Sequence, residues 1–186
     1  MNDGVARPCV FFDRDGTLIE DPGYVHRSED VVLLPGVKDG LRALKQAGYL
    51  LIVVTNQSGV AHGLYPESAV HALHAHLNAE LGVHAAIDAF YFAPDHPEAA
   101  LPEYRRVSEL RKPGIGMFQQ AAAEHRIAAE RSYMVGDRDS DLEFGRRAGL
   151  QPILVLTGQG REHVSLAGCP ICEDFAAVVE QILGPR

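Results

Sequence analysis

Leu50-Leu51-Ile52-Val53-Val54 is an unbroken run of leucine and β-branched residues. It has no polar position to turn toward water, so a strand made from it must be covered on both faces. Such a strand belongs in a parallel sheet between two layers of helices, and the rest of the chain supplies the matching pieces. Val10-Phe11-Phe12 is a shorter apolar run ended by polar residues and Gly16, and Ala89–Phe92, Ser132–Val135 and Pro152–Leu156 predict further strands. Between them apolar residues recur at helical spacing. Val37, Leu41 and Leu44 precede the stop signal Gly48, and Val70, Leu73, Leu77 and Leu81 lie between Pro66 and Gly82. Met117 to Arg126, Leu142–Ala148 and Phe175–Leu183 predict the remaining helices. This alternation predicts an α/β fold, a three-layer, doubly wound, mostly parallel sheet, because right-handed crossovers put helices on both faces. The intervals from Thr17 to Leu50 and from Gln57 to Leu110 are largely used by their own helices and strands. No separate cap domain fits, since one needs roughly 50 residues or more. One unit over 1–186 is expected, with a long loop at 93–110.

Charge narrows the partners. Seventeen basic against twenty-five acidic side chains leave a formal charge of −8, which disfavours work on nucleic-acid phosphates or an anionic lipid surface. No nucleic-acid and no membrane partner is expected, while a small anionic substrate remains compatible with a locally positive pocket. The longest apolar run, Tyr49–Val54, has six residues, against the roughly 20 that cross a bilayer. Arg7, Asp13, Arg14 and Asp15 interrupt the stretch where an export signal would be apolar. A cytoplasmic monomer is expected. Cys9, Cys169 and Cys172 do not suggest a disulfide framework there. Cys169 and Cys172 have no second Cys or His pair beside them to complete a zinc site, and read as packing thiols flanking Pro170. His71 and His74 are expected on the solvated side of the helix whose buried side carries Leu73 and Leu77.

In a doubly wound sheet, ligands bind beyond the carboxyl ends of the strands, where strand order switches. Asp13-Arg14-Asp15-Gly16-Thr17 follows the first strand and Thr55-Asn56-Gln57-Ser58-Gly59 the second. Arg111-Lys112-Pro113 precedes the helix at Met117, and Gly136-Asp137-Arg138-Asp139-Ser140-Asp141 follows the strand ending at Val135. Each cluster alone has an ordinary explanation: Asp and Gly favour turns, Thr caps helices, and Lys112 could be a solvated charge. Four together, at the ends of buried strands, assemble carboxylates, a hydroxyl, a lysine and an arginine in one place, which packing does not require.

In this order the stretches FFDRDGT (Phe11–Thr17), VVTNQSG (Val53–Gly59), RKP (Arg111–Pro113) and VGDRDSD (Val135–Asp141) resemble the signature of haloacid dehalogenase-like phosphatases. DPGYVH at Asp21–His26, TNQSGVA at Thr55–Ala61 and RKPGIGM at Arg111–Met117 are similar to the D-glycero-D-manno-heptose 1,7-bisphosphate 7-phosphatases, a group related to the histidinol-phosphate phosphatases. The resemblance implies a Rossmann-like fold of the haloacid dehalogenase type and a Mg²⁺-dependent phosphomonoester hydrolase working through an aspartyl-phosphate. It would remove the 7-phosphate of the heptose bisphosphate during nucleotide-activated heptose synthesis. Carried over position by position, it implies that Asp13 is the nucleophile, Asp15 the general acid and base, and Thr55 and Lys112 the phosphoryl contacts. It implies metal ligands at Asp13, Asp15 (through its carbonyl) and Asp137; Asp141 is expected to orient Lys112 or a metal-bound water rather than bind the metal. Substrate contacts would come from Asp21, Pro22, Gly23, Tyr24, Asn56, Gln57, Ser58, Arg111 and Arg138, with Arg111 gripping a second phosphate and His26 belonging to the same loop. A histidinol-phosphate or other small phosphosugar phosphatase is the alternative on the same machinery. A nucleic-acid 3′-phosphatase is the alternative of another class, and the acidic balance argues against it.

One stretch departs from the family pattern. The family clamps the 93–110 loop with zinc through two pairs of ligands, and the matching positions here are Ala93, Asp95, Ser108 and Leu110. That quartet offers no thiolate or imidazole, so no zinc is expected. Pro94, Pro97 and Pro102 would stiffen the loop, with Leu101, Tyr104, Val107 and Leu110 as packing anchors.

Overall fold

The computed structural model describes residues 5–184, so the first four and last two positions of the expected unit lie outside them. The elements run β1 (Cys9–Phe12), α1 (Val37–Gln46), β2 (Leu50–Asn56), α2 (Ser58–Ala61), α3 (Glu67–Leu81) and β3 (Ala89–Ala93). They continue with α4 (Gly116–Glu124), β4 (Tyr133–Gly136), α5 (Asp139–Arg147), β5 (Gln151–Val155), α6 (Gly160–His163), β6 (Ile171–Cys172) and α7 (Phe175–Leu183). The strands form one sheet in the order β3-β2-β1-β4-β5-β6, and every pairing is parallel. The chain therefore grows outward from β1 in one direction, then returns to its other side at β4, which puts the switch point between them.

Side-chain alternation along the strands explains the two helical layers. Val10, Phe12, Leu51 and Val53 pack with Leu41 and Leu44 of α1, Leu73 and Leu77 of α3, and Phe175 and Val178 of α7. Cys9, Phe11, Ile52 and Val54 turn the other way, onto Met117 and Ala121 of α4 and Phe144 of α5. β1 and most of β2 are fully buried, as a strand covered twice must be. α1 and α7 touch at Gly40, where an added Cβ would stand 2.6 Å from the Phe175 ring and 2.8 Å from Val179. Gly40→Ala gains about 1 kcal/mol of helix propensity, but forcing a methyl against a packed ring costs typically 1–3 kcal/mol. We expect a net loss of about 1 kcal/mol, read as a lower denaturation midpoint at unchanged slope.

Four differences from the sequence reading have physical causes. His74 is buried, not solvated: α3 buries Val70, Leu73, His74, Leu77 and Leu81, a stripe wide enough to include the position four residues after Val70. Its ring stacks on Phe90 with centroids 4.4 Å apart. Val107 is no packing anchor, being 88% exposed. Polar contacts fasten that loop: Arg106 Nε donates to the buried Asp95 carboxylate at 2.8 Å, and His96 N–H to Tyr104 O at 3.1 Å. Leu101, Tyr104 and Leu110 are half-buried, and Tyr104 Oη donates to Glu67 at 2.9 Å. α5 starts at Asp139 rather than Leu142, because Asp141 Oδ2 accepts the Arg138 N–H at 3.0 Å and caps it. Finally β6, too short to carry a pattern, pairs Ile171 and Cys172 with the end of β5. The C-x-x-C stretch is thus a sheet edge, and Cys9, Cys169 and Cys172 are free. Among the described residues no helix is long and apolar enough to cross a membrane.

Candidate active site

The carboxyl ends of β1, β2 and β4 meet at a cavity of about 480 Å³, with Lys112 entering from the segment before α4. Asp13 is the first residue beyond β1, and its N–H donates to Val135 O at 2.9 Å, so β4 sets its direction. Asn56, the last residue of β2, positions Lys112 by its backbone: Oδ1 accepts the Lys112 N–H at 2.9 Å and Nδ2 donates to the Lys112 carbonyl at 3.2 Å. The Lys112 ammonium then donates to Asp13 Oδ1 at 2.7 Å and Val54 O at 2.8 Å, and pairs with Asp141 Oδ1 at 2.6 Å. Asp137 lies fully buried beyond β4 and accepts the Gln159 N–H at 2.8 Å. Gly16 and Gly158 hem it in, since a Cβ on either would stand 2.3 or 2.2 Å from Asp137 Oδ2.

Asp13, Asp137 and Asp141 each offer an oxygen within 4.8 Å of the others. Three clustered carboxylates outnumber the one ammonium, and burial makes their charge costly. Burial, then the neighbouring Asp13, push the Asp137 carboxyl well above its ordinary range. Burial raises Asp141 too, against the opposing pull of Lys112. Burial alone would lower the Lys112 pKa, but Asp13 and Asp141 outweigh it and hold the ammonium charged. Asp137 Oδ1 is buried without a hydrogen-bond partner among the described residues, and Arg138 Nε stands 4.0 Å away. Hard carboxylate oxygens, an unused lone pair and excess negative charge suit an oxygen-liganded divalent cation.

The carboxylate of Asp15 is not part of that group. It points toward Arg14 and Gln57, and burial raises its pKa above the ordinary value in spite of Arg14. Gln57, expected as a substrate contact, lines the cavity. Its side-chain amide is buried and already engaged, donating to Asp15 and Thr55 Oγ1 and accepting from Arg14 and Tyr65. The expected substrate residues Asp21 to Tyr24, Asn56, Ser58, Arg111 and Arg138 line the cavity too, together with Asp13, Asp15, Thr55 and Lys112. Asp137 sits below the lining. At the rim Arg138 Nη2 donates to Asp21 Oδ2 at 3.1 Å, and Asp21 Oδ1 accepts the Gly23 N–H at 3.0 Å. Arg111 is half-buried, burial and the charge of Arg138 lower its pKa, and both guanidinium-bearing residues line the cavity. His26 stacks on Tyr65 behind this loop, centroids 4.6 Å apart.

Sequence reasoning passed over Arg14, Tyr65 and Gln159. The signal for Gln159 was present, because Thr157-Gly158-Gln159 follows β5 as the other clusters follow their strands. Tyr65 carries no such signal.

Residues 109–180 match the family model described as "HAD-hyrolase-like". A D-glycero-D-manno-heptose-1,7-bisphosphate 7-phosphatase of Thermosynechococcus vestitus is 43% identical, over 98% of this chain and 100% of its own length. A D-glycero-beta-D-manno-heptose-1,7-bisphosphate 7-phosphatase of Haemophilus ducreyi is 41% identical, over 83% of this chain and 86% of its own. Among solved structures, the D,D-heptose 1,7-bisphosphate phosphatase of B. bronchiseptica, complexed with magnesium and phosphate, has a TM-score of 0.83 at 31% identity. That match covers 95% of this chain and 98% of that one. With likeness running nearly end to end in both sequence and sheet, the chain belongs to the haloacid dehalogenase-like hydrolases, in the D-glycero-D-manno-heptose-1,7-bisphosphate 7-phosphatase family.

Proposed function

We propose that this protein is a Mg²⁺-dependent phosphatase that removes the 7-phosphate of D-glycero-D-manno-heptose 1,7-bisphosphate, acting as a cytoplasmic monomer in nucleotide-activated heptose synthesis. One observation carries the reading: buried Asp13, Asp137 and Asp141 cluster together, and Asp13 and Asp141 grip one ammonium, at a cavity that two guanidinium groups also line. The deep end suits one phosphate and the rim a second.

A phosphate dianion meeting ionised Asp13 at about 4 Å is opposed by roughly 8 kcal/mol at an effective dielectric of 20. Lys112, already on Asp13, offsets part of this by facing the transferring oxygens. Mg²⁺, held by Asp13, Asp137 and the Asp15 carbonyl, would supply the remaining positive charge. Asp13 attacks phosphorus, and a phosphoaspartate forms as the ester bond to the sugar oxygen breaks. Asp15 gives that oxygen its proton, then takes one from the water that hydrolyses the phosphoaspartate. Thr55 Oγ1 accepts from Gln57 at 2.9 Å, which leaves its hydroxyl hydrogen for a phosphoryl oxygen. Asp141 orients Lys112, and Arg111 and Arg138 hold the non-reacting phosphate.

The test is phosphate release from the heptose bisphosphate with Mg²⁺, the product identified by phosphorus NMR. The sugar 1-phosphate is expected. Cleavage at position 1, or a higher kcat/KM on histidinol phosphate, would overturn the substrate assignment. The metal assignment has a readout independent of turnover. Saturating Mg²⁺, at about 100 times its Kd, should add about 2.7 kcal/mol of stability, a rise of roughly 5–10 °C in Tm. Asp137→Asn should abolish that rise. We assign no zinc to the 93–110 loop, given Ala93, Asp95, Ser108 and Leu110 at the four positions, and elemental analysis finding one zinc per chain would refute this.

A further inference from the structure

Arg14 is the largest fully buried side chain and lies between the two aspartates of the first motif, yet the mechanism above gives it no task. Its guanidinium is spent on four neighbours. Nε donates to Asp15 Oδ1 at 3.0 Å and Nη2 to Asp15 Oδ2 at 3.0 Å, a two-pronged grip on that carboxylate. Nη2 also donates to Val25 O at 2.8 Å and Gln57 Oε1 at 3.1 Å. Nη1 faces His74 Nε2 at 3.4 Å. His74 in turn lies flat on Phe90 and is buried inside α3. Gln57 completes the cage, donating to Asp15 Oδ2 at 2.8 Å.

From this cage we infer that Arg14, steadied by His74, is a positioning residue that fixes the plane of the Asp15 carboxyl group toward the leaving oxygen. The inference rests on the reading of Asp15 as the group that protonates that oxygen. Three observations support it beyond ordinary burial of an ion pair. The contact is bidentate, which sets orientation as well as charge, where one ammonium would set only distance. Nη2 and Nη1 are anchored on separate elements, the 21–26 loop and α3, so the fork cannot swing with its own backbone. Burial also drives the His74 pKa down to about 3, with the charge of Arg14 acting in the same direction. The ring is therefore neutral near pH 7 and presents a lone pair to Nη1.

A misplaced proton donor harms poor leaving groups more than good ones, whereas general loosening of the site harms both alike. The experiment compares kcat/KM on phenyl phosphate and 4-nitrophenyl phosphate, esters of similar size, for the intact Mg²⁺-supplemented enzyme and for His74→Leu, His74→Gln, Arg14→Lys and Asp15→Asn. His74→Leu keeps the volume and removes the acceptor, while His74→Gln keeps an acceptor oxygen. The expected result is a nitrophenyl-to-phenyl ratio that rises about tenfold or more in Asp15→Asn, His74→Leu and Arg14→Lys. In His74→Gln it should fall back to within about threefold of the parent. A ratio that stays at the parent value in His74→Leu and Arg14→Lys while rising in Asp15→Asn overturns the positioning role alone. A ratio unmoved in Asp15→Asn overturns the assignment of Asp15 itself. If Arg14→Lys does not fold, the two His74 variants decide the question.

Discussion

Asp13→Asn is expected to lower turnover about ten-thousand-fold or more while the protein stays folded, as losing a covalent nucleophile does elsewhere. The amide matches the carboxylate in shape, and its oxygen can still accept from the Lys112 ammonium, 2.7 Å away in the parent. Lys112 keeps Asp141 as its charged partner. Removing one of three clustered carboxylates relieves repulsion on Asp137 and Asp141, so stability should hold or rise. What disappears is the oxygen that forms the phosphoaspartate. The checks are steady-state phosphate release and a thermal melt on the same preparation. Residual turnover above about one percent, with a parent-like melt, would exclude the covalent route.

Lys112→Met should damage both activity and fold. It leaves three buried carboxylates with no ammonium among them, and stranding buried charge in this way costs roughly 3–5 kcal/mol. In a chain of this length that is a fall of roughly 10 °C in Tm. The lost charge at the phosphoryl oxygens should cost about a further 10²–10³-fold in kcat. The stability deficit should depend on pH with a definite sign. Asp137 and Asp141 already have carboxyl pKa values raised above their unfolded values, and losing the ammonium raises them further. Groups with raised folded-state values bind protons more readily in the native protein. Their protonation favours folding at low pH, and that help is lost as pH rises through the folded-state values. Metal-free Lys112→Met should therefore sit closest to the parent under mildly acidic conditions and furthest from it above neutrality. A deficit that is flat from pH 5 to 8 would show that the ammonium does not favour the charged form of Asp141.

The central strands were legible because burial on both faces leaves no polar residue to confuse the pattern, as at Leu50–Val54. The candidate site was legible because polar clusters at the tips of buried strands have no packing reason to be there. Other features were hidden for identifiable reasons. β6 spans two residues, fewer than any periodicity needs. His74 looked polar by type, and its burial depends on Phe90 and Arg14, partners distant in sequence. Arg14 was passed over because nothing local shows that its guanidinium reaches across to Val25 and Gln57. Val107 was apolar in a loop that ties itself by hydrogen bonds instead, which composition does not reveal.

The fastening of that loop bears on where such an enzyme can work. Arg106 grips Asp95, and the Asp95 carbonyl accepts from Arg111 Nη1 at 3.4 Å, so the Arg111 side chain at the cavity is moored by a carboxylate and a guanidinium. Neither group is cut by peroxide nor stripped by chelators. Oxidative stress or metal starvation would leave the mooring intact, and its weak point is instead concentrated brine, which screens the attraction at the solvent-facing Arg106 end.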